Sequence, residues 1–151
     1  GFDAVGSLIE QVRFKAALAE AMRISSLANQ YIAEQAPWAL VKTDRERAAT
    51  VLYVALRCVD SLKTLLAPFL PFTSQVVHEL LGHEGVLAGA PEIRAVEDRN
   101  ILTGEYASWV GTWTPSTLEP GRTLREPTPL FRKLPPETAA EELARLGIEP
   151  S

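Results

Sequence analysis

The side chains best suited to metal binding are two histidines. His78 and His83 enclose a segment that looks like a zinc-protease signature, but they stand five positions apart. That signature needs a spacing of four, which places the rings about 40° apart around a helix, whereas five places them about 140° apart. Gly82 is also expected to unwind the helix between them. The sequence therefore predicts no metal site.

The sequence also lacks a candidate for nucleophilic or acid–base catalysis. Cys58 lies in an apolar helical stripe, where a lone cysteine is a small core residue rather than a nucleophile. The sequence has no glycine-rich phosphate loop and no Ser/His/Asp set, and its acids are scattered over helix faces. We therefore expect no catalytic residues in this chain.

A segment from Trp109 to Pro129, with the few residues that follow it, offers a different chemistry. It is dense in Trp, Pro, Gly and Thr, and between Gly121 and Lys133 four basic residues face one acid, Glu126. Proteins recognise single-stranded nucleic acid with aromatic rings that stack on unpaired bases and with cations that contact phosphates. The same rings could equally anchor a long loop on the helices. The basic residues are Arg122, Arg125, Arg132 and Lys133.

Size and charge restrict the possible functions. With 151 residues, 46% of them hydrophobic, the chain is predicted to be one domain with a real core. No apolar run reaches about 18 residues, so neither membrane insertion nor secretion is expected. A single cysteine suits a reducing cytoplasm. The net charge of −4 argues against nucleic-acid binding over the whole surface, but it allows local stacking of unpaired bases.

The first element is a long helical pattern. Apolar residues recur at helical spacing over 3–35, which predicts one long amphipathic helix. Pro37 lacks an N–H group and disfavours the helical conformation at Ala36, so this helix should end near Gln35. Trp38 follows the break directly. We expect its ring to be mostly buried between the first two helices, in a structural role.

The second helix is predicted over 44–67. A Thr-x-x-Glu capping box begins at Thr43. An apolar stripe runs from Val51 through Leu62 to Phe69, in alternating steps of four and three. We expect this stripe, Leu62 included, to be buried against the first helix in an antiparallel pair.

Two shorter helices follow. The third is predicted over 74–81, capped by Thr73 and stopped by Gly82, and the last over 138–146, stopped by Gly147.

The remaining segments are less regular. Residues 85–100 are predicted to be irregular, and 101–108 are compatible with a strand, a loop or a helical turn. The Trp- and Pro-rich segment 109–129 should be extended and must lie on the helices to be ordered. The predicted fold is therefore all-α: an antiparallel helical bundle with a long irregular Trp/Pro-rich segment and a C-terminal helix.

Two motifs carry a family resemblance. Four residues in the order Asn-x-Tyr, then Pro-Trp after five positions, resemble the anticodon-binding domains of class I aminoacyl-tRNA synthetases. Leucyl, isoleucyl and valyl enzymes share that pattern. A Gly-Arg pair at 121–122 and a Pro-Leu-Phe-Arg tail at 129–132 point to the methionyl-tRNA synthetase family, and the resemblance covers nearly the whole chain. The residues of the first motif are Asn29, Tyr31, Pro37 and Trp38.

The resemblance implies a function. The chain is expected to be the anticodon-recognition domain of a methionine–tRNA ligase, binding the CAU anticodon loop of tRNA-Met. A separate catalytic domain of the same polypeptide would then charge that tRNA with methionine using ATP. That domain, its zinc-bearing insertion and a helix preceding the anticodon-binding bundle have no counterpart in the sequence. Residues 1–151 are therefore expected to be a fragment of a longer, cytoplasmic enzyme.

The resemblance also implies the binding residues. The family stacks an anticodon base on a tryptophan ahead of the Gly-basic pair, and Trp113 stands eight residues before Gly121. Trp109 is the alternative. Arg122 or Arg125 would meet backbone phosphate. We expect Trp113 to keep one ring face open and Trp109 to be the more buried of the two.

Two other functions remain open from the sequence. The chain could be the equivalent domain of another class I synthetase, with the leucyl enzyme nearest. It could also be a non-enzymatic helical module that docks a protein through its Trp/Pro-rich segment. An assay of the full-length protein for charging tRNA with each amino acid separates these possibilities.

Overall fold

The computed structural model describes residues 1–88, 92–104, 109–135 and 137–146. Within those ranges the chain forms six helices and one antiparallel β-hairpin, which confirms the all-α class with a minor addition. In chain order the elements are α1 (Phe2–Glu10), α2 (Phe14–Gln35), α3 (Pro37–Thr43), α4 (Arg45–Leu66), α5 (Pro71–Leu80), β1 (Glu92–Val96), β2 (Arg99–Thr103) and α6 (Glu137–Arg145).

The prediction of a single helix over 3–35 is wrong, because the chain breaks after α1 and reverses into α2. Val12 has a φ of 59°, a left-handed conformation that costs a β-branched residue free energy. The reversal lays α1 along α2, so that a Cβ atom on Gly1 would come within 2.9 Å of Ile24 Cδ1. In return, Val5 is completely buried. Tertiary packing therefore overrides the continuous helical pattern.

The apolar core lies where α1, α2 and α4 meet. Leu62 is partly buried and packs against it, as the apolar stripe predicts. The α2–α4 pair is antiparallel, because Arg47 Nη2 at the start of α4 donates to Gln35 Oε1 at the end of α2, at 2.9 Å. The fully buried core residues are Val5, Ala17, Ala21 and Leu65.

The Pro37 corner differs from the prediction in one respect. The α2 helix ends at Gln35 as expected, and Ala36 turns the chain with a φ of 42°. Pro37 then opens the short helix α3 at its first position, where its missing N–H group costs nothing. Pro37 is the buried residue of the corner, while Trp38 is 62% exposed. The expectation of a buried Trp38 is therefore wrong, since the new helix directs the ring away from the bundle.

Helix starts also differ from the predicted ones. The cap of α4 is Asp44, whose carboxylate accepts from the Arg47 backbone N at 3.0 Å, rather than Thr43. The α5 helix begins at Pro71 rather than after Thr73, because proline is favoured at a first helical position. It ends before Gly82, which has the left-handed φ of 76° expected of a glycine stop.

The C-terminal half contains one unpredicted element. The hairpin β1–β2 pairs Glu92 with Thr103 and turns at Glu97, which has a φ of 56°. The prediction of irregular structure over 85–100 is therefore wrong for β1 and for the first two residues of β2. Only residues 101–103 fall in the region that the sequence left open between strand, loop and helical turn. The last helix, α6, begins one residue before its predicted start, and Gly147, its predicted stop, lies outside the described residues.

Residues 109–125, here called the strap, lie across the helices as predicted. Tyr53 Oη donates to Leu118 O at 2.8 Å, and Arg57 Nη2 donates to Ser116 O at 2.7 Å. The backbone N of Ser116 donates in turn to Ser61 Oγ at 3.0 Å. Three side chains of α4 therefore fix the strap, and Ser116 and Leu118 of the strap are buried.

Candidate nucleic-acid interface

Trp113 lies where the strap meets α1. Its indole N–H donates to Phe2 O at 3.1 Å, and the two rings meet edge to face with 5.5 Å between their centroids. These contacts hold the ring, yet Trp113 remains 39% exposed. A ring that is already fixed and still open to solvent can stack on an unpaired base with little further loss of conformational entropy.

Gly6 allows this close approach. A Cβ atom at Gly6 would lie 2.8 Å from Trp113 Nε1, closer than real Cβ contacts. Glycine in the middle of α1 destabilises the helix by roughly 0.5–1 kcal/mol relative to alanine. The position is thus suited to seating the indole rather than to helix stability. Sequence reasoning missed Gly6, although a glycine inside a helical pattern is a signal of close packing.

Trp109 is held differently. It is half-buried and forms a parallel bridge with Val86, and the next residue, Val110, donates its N–H to Val86 O at 2.8 Å. The predicted order of burial, with Trp109 deeper than Trp113, is therefore confirmed. The stacking role of either ring stays a prediction.

Arg122 is seated on the turn that ends α5. Its Nη1 donates to Gly82 O at 3.2 Å and to His83 Nδ1 at 3.0 Å. The strap approaches this turn so closely that a Cβ atom on Gly82 would lie 2.3 Å from Thr123 O. Gly82 is therefore required both for its left-handed φ and for contact with the strap.

Arg125, like Arg122, is exposed. Its backbone N donates to Leu80 O at 2.9 Å, which ties the end of the strap to α5. Its side chain is 61% exposed, and Nη1 lies 3.6 Å from Glu79 Oε2. An exposed pair at that distance is weak, so the guanidinium can exchange this carboxylate for a phosphate at small cost.

A buried polar cluster beneath the strap was missed by sequence reasoning. Asp60 and Lys63 of α4 are 2% and 7% exposed and form an ion pair. His83 Nε2 lies 2.7 Å from the same Asp60 oxygen, Oδ1. The His78 ring stacks on that of His83, with 4.8 Å between centroids. On a continuous helix the two rings would lie about 140° apart, and they meet because the left-handed Gly82 turns the chain back over α5.

The protonation state of His83 follows from its partners. The guanidinium of Arg122 has donors only, so His83 Nδ1 must accept from it. The single proton of the ring is then on Nε2, which donates to Asp60. Asp60, His83 and Arg122 therefore form a continuous chain of hydrogen bonds from the buried side of α4 to the strap. These three residues are here called the relay.

Electrostatics support this assignment. Burial and the nearby Lys63 ammonium hold the pKa of His83 below its usual value, despite the opposing effect of Asp60. Burial likewise lowers the pKa of His78, whose Nε2 donates to Glu84 O at 3.1 Å. Burial alone would raise the pKa of Asp60, but hydrogen bonds from Lys63 and Ser116 outweigh it and keep the pKa below normal. Near neutral pH the cluster thus contains a carboxylate, an ammonium and two neutral imidazoles.

The remaining motif residues have structural surroundings. Asn29 is exposed, whereas Tyr31 lines an apolar groove of about 580 Å³ between α2 and α4, together with Cys58. Cys58 is only half-buried at the edge of its stripe. Across the described part of the chain, no group of three His, Cys, Asp or Glu side chains is placed to hold a metal ion. Nor does any helix in that part have the length and apolar character needed to cross a membrane.

Comparison with known proteins identifies the class. A family model described as the anticodon binding domain of methionyl tRNA ligase matches residues 2–97. The chain belongs to the family of anticodon-binding domains of methionyl tRNA ligase.

Curated relatives extend this similarity beyond the family model. The chain is 53% identical to a methionine–tRNA ligase of Chloroflexus aurantiacus over 151 residues, which covers 97% of the chain. It is 46% identical to a methionine–tRNA ligase of Thermobifida fusca over 155 residues, covering 96% of the chain. The chain spans about a quarter of the length of these relatives, 25% and 26% respectively. Both alignments cover nearly all of the chain, far beyond the family model.

Proposed function

We propose that this chain recognises the CAU anticodon loop of tRNA-Met within a longer methionine–tRNA ligase. A catalytic domain elsewhere in the same polypeptide then charges that tRNA with methionine, using ATP. One observation carries the proposal beyond family membership. Trp113 is fixed by a hydrogen bond and a ring contact to Phe2 and yet is 39% exposed, as a base-stacking platform must be.

The charge distribution suits single-strand recognition. The whole chain has a net charge of −4, so a broad phosphate-binding surface is not what it offers. Arg122 and Arg125 lie on the strap that also carries Trp113, and both are exposed. An anticodon loop presents a few unstacked bases with their phosphates, which one aromatic face and local cations can bind. We assign stacking to Trp113, with Trp109 as the alternative, and phosphate contact to Arg125 and Arg122.

The proposal includes the rest of the ligase. We assign ATP, and the zinc-bearing insertion that the resemblance implies, to the catalytic domain, and we place the enzyme in the cytoplasm. Residues 1–151 are proposed to form one anticodon-binding domain. The length of the relatives supports this division, because about three quarters of each lies outside the aligned region.

The first experiment removes the ring. In the full-length ligase, Trp113→Ala should lower kcat/KM for charging tRNA-Met by about 5- to 150-fold, as expected for the loss of roughly 1–3 kcal/mol of base stacking. Activation of methionine by ATP should be unchanged, because it requires no anticodon contact. Trp113→Phe should retain most of the charging. If Trp109→Ala impairs charging and Trp113→Ala does not, the stacking role belongs to Trp109.

A matched variant separates stacking from folding. Gly6→Ala introduces a Cβ atom 2.8 Å from the Trp113 Nε1 position, so it should displace the ring. Alanine also favours the helix, which offsets part of the strain. We expect charging of tRNA-Met to weaken without a matching loss of thermal stability. Unchanged charging in Gly6→Ala, Trp113→Ala and Trp109→Ala would mean that the tryptophans are only loop anchors.

A further inference from the structure

We propose that His83, backed by Asp60, is a positioning residue that orients Arg122 toward a phosphate of the anticodon loop. The inference rests on the proposed function of the strap. It assigns no catalytic role to His83, which acts only through Arg122. The chemistry it recognises is an unpaired RNA strand that presents a phosphate oxygen to the guanidinium.

The donor inventory of Arg122 supports this role. A guanidinium has five N–H donors. The contacts to Gly82 O and His83 Nδ1 both come from Nη1, so they use its two hydrogens. Within the described residues the other three donors, on Nη2 and Nε, have no hydrogen-bond partner, and a planar pair of such donors matches two phosphate oxygens. Arginine held in this way loses less entropy on binding than a free surface side chain.

Burial makes the relay rigid. The Asp60 carboxylate is held by Lys63 and is 2% exposed, so it cannot move to follow a mobile partner. His83 is in turn fixed by its bond to Asp60 and by stacking on His78. Arg122, which is exposed, is therefore attached to a rigid interior through two successive hydrogen bonds. Exposed arginines without such support gain little from a single contact.

Proton binding would break the relay at one place. Among the described residues, the titratable and charged groups that face His83 come from α4, α5, the strap and the turn after α5. They are Asp60 and Lys63 of α4, His78 of α5, Glu84 of the turn and Arg122 of the strap. A protonated His83 would present an N–H group at Nδ1 to the guanidinium of Arg122. The acceptor would be lost, and two positive charges would face each other at 3.0 Å.

The test uses two substitutions at His83 in the full-length ligase. His83→Leu removes both hydrogen bonds, whereas a glutamine in His83→Gln can accept from Arg122 with Oε1 and donate to Asp60 with Nε2. We expect His83→Leu and Arg122→Ala each to raise KM for tRNA-Met about three- to tenfold, with methionine activation unchanged. The double variant should be no worse than Arg122→Ala alone. His83→Gln should restore KM toward that of the wild type.

Salt dependence distinguishes positioning from mere stability. A lost phosphate contact on a single strand lowers the slope of log affinity against log salt by about 0.7. His83→Leu and Arg122→Ala should show this change, measured as KM for tRNA-Met against NaCl concentration. If His83→Leu only lowers the melting temperature and keeps the wild-type slope, the positioning role is overturned. A His83→Gln variant that behaves like His83→Leu would overturn it too.

A pH series supplies a readout that does not depend on His83→Leu folding. The pKa of His83 is held below its usual value, so the neutral ring persists at pH 7 and becomes charged only as the pH falls below 6.5. KM for tRNA-Met should therefore rise in the wild type on acidification, and this rise should be smaller in His83→Gln. Identical profiles would contradict the inference. If Trp113→Ala and Arg122→Ala both leave charging intact, the proposed function itself fails, which is a separate outcome.

Discussion

The molecule has two interiors that differ in chemistry. Between α1, α2 and α4 the buried side chains are apolar and mostly small, whereas the strap covers a cluster that includes the buried charged pair Asp60 and Lys63 and the buried His78. Apolar burial stabilises a structure without specifying direction, but hydrogen bonds and ion pairs fix distance and angle. The apolar interior therefore holds the bundle together, and the polar one determines where the strap lies. In the part of the chain that the structure describes, the buried polar residues are Asp60, Lys63 and His78 of this cluster, Ser116 of the strap, and Ser74 of α5.

Stability alone does not explain the polar interior. Removing a carboxylate and an ammonium from water costs several kcal/mol for each ion, which their attraction offsets only with good geometry. Apolar residues of similar volume often serve equally well. The Asp60–Lys63 pair also binds His83, and through it Arg122 on the strap. The proposed gain is thus a strap in one fixed position rather than a more stable fold.

The largest expected effect comes from breaking the polar interior. Asp60→Asn leaves the Lys63 ammonium buried without a counter-ion, so the free energy of unfolding should fall by about 3–5 kcal/mol in urea denaturation. Replacing Lys63 as well, as Asp60→Asn with Lys63→Met, removes the unpaired charge and should recover much of that loss. Charging of tRNA-Met by the full-length ligase should stay impaired in the double variant, because the neutral amide oxygen of asparagine accepts a weaker hydrogen bond from His83 than the carboxylate does. Recovery of both properties together would show that the cluster matters only for stability.

A substitution in the apolar interior should lower stability but leave tRNA binding unchanged. Leu65 is 1% exposed in the core, so Leu65→Ala should lower the free energy of unfolding by about 2–5 kcal/mol. Leu62→Ala should lower the free energy of unfolding by less, because Leu62 is only partly buried. At temperatures where the variant remains folded, KM for tRNA-Met and its salt dependence should match the wild type. A change in the salt slope of Leu65→Ala would mean that the two interiors are not independent.

Sequence reasoning predicted the elements that single residues define. Pro37 ended α2 at Gln35 and Gly82 ended α5, because the backbone preferences of proline and glycine act locally. The break at Val12 could not be predicted in this way. Its left-handed φ is unfavourable for valine and is compensated only by the packing of α1 on α2. The hydrophobic pattern of residues 3–35 carries no information about that contact between helices.

The candidate site shows the same division. Trp113 was found through a family motif, and its predicted exposure relative to Trp109 is confirmed. The relay was missed because Asp60 and His83 are 23 positions apart and meet only through the Gly82 turn. One signal was available. Asp60 and Lys63 lie three positions apart on a helix, close to the apolar residues Val59, Leu62 and Leu66, and a charged pair placed in this way can be buried together.

The smallest expected effect concerns Trp38, which belongs to neither interior. Because the residue is 62% exposed, Trp38→Ala should change the free energy of unfolding by only about 0.5 kcal/mol, measured by urea denaturation. Trp113→Ala is the matched control in the same assay, since it loses the hydrogen bond and ring contact to Phe2 and should be the more destabilising. A loss above about 2 kcal/mol for Trp38→Ala would show that the covered third of its ring supports the corner. In that case the corner would be a third buried region, and Pro37 would not be its main packing residue.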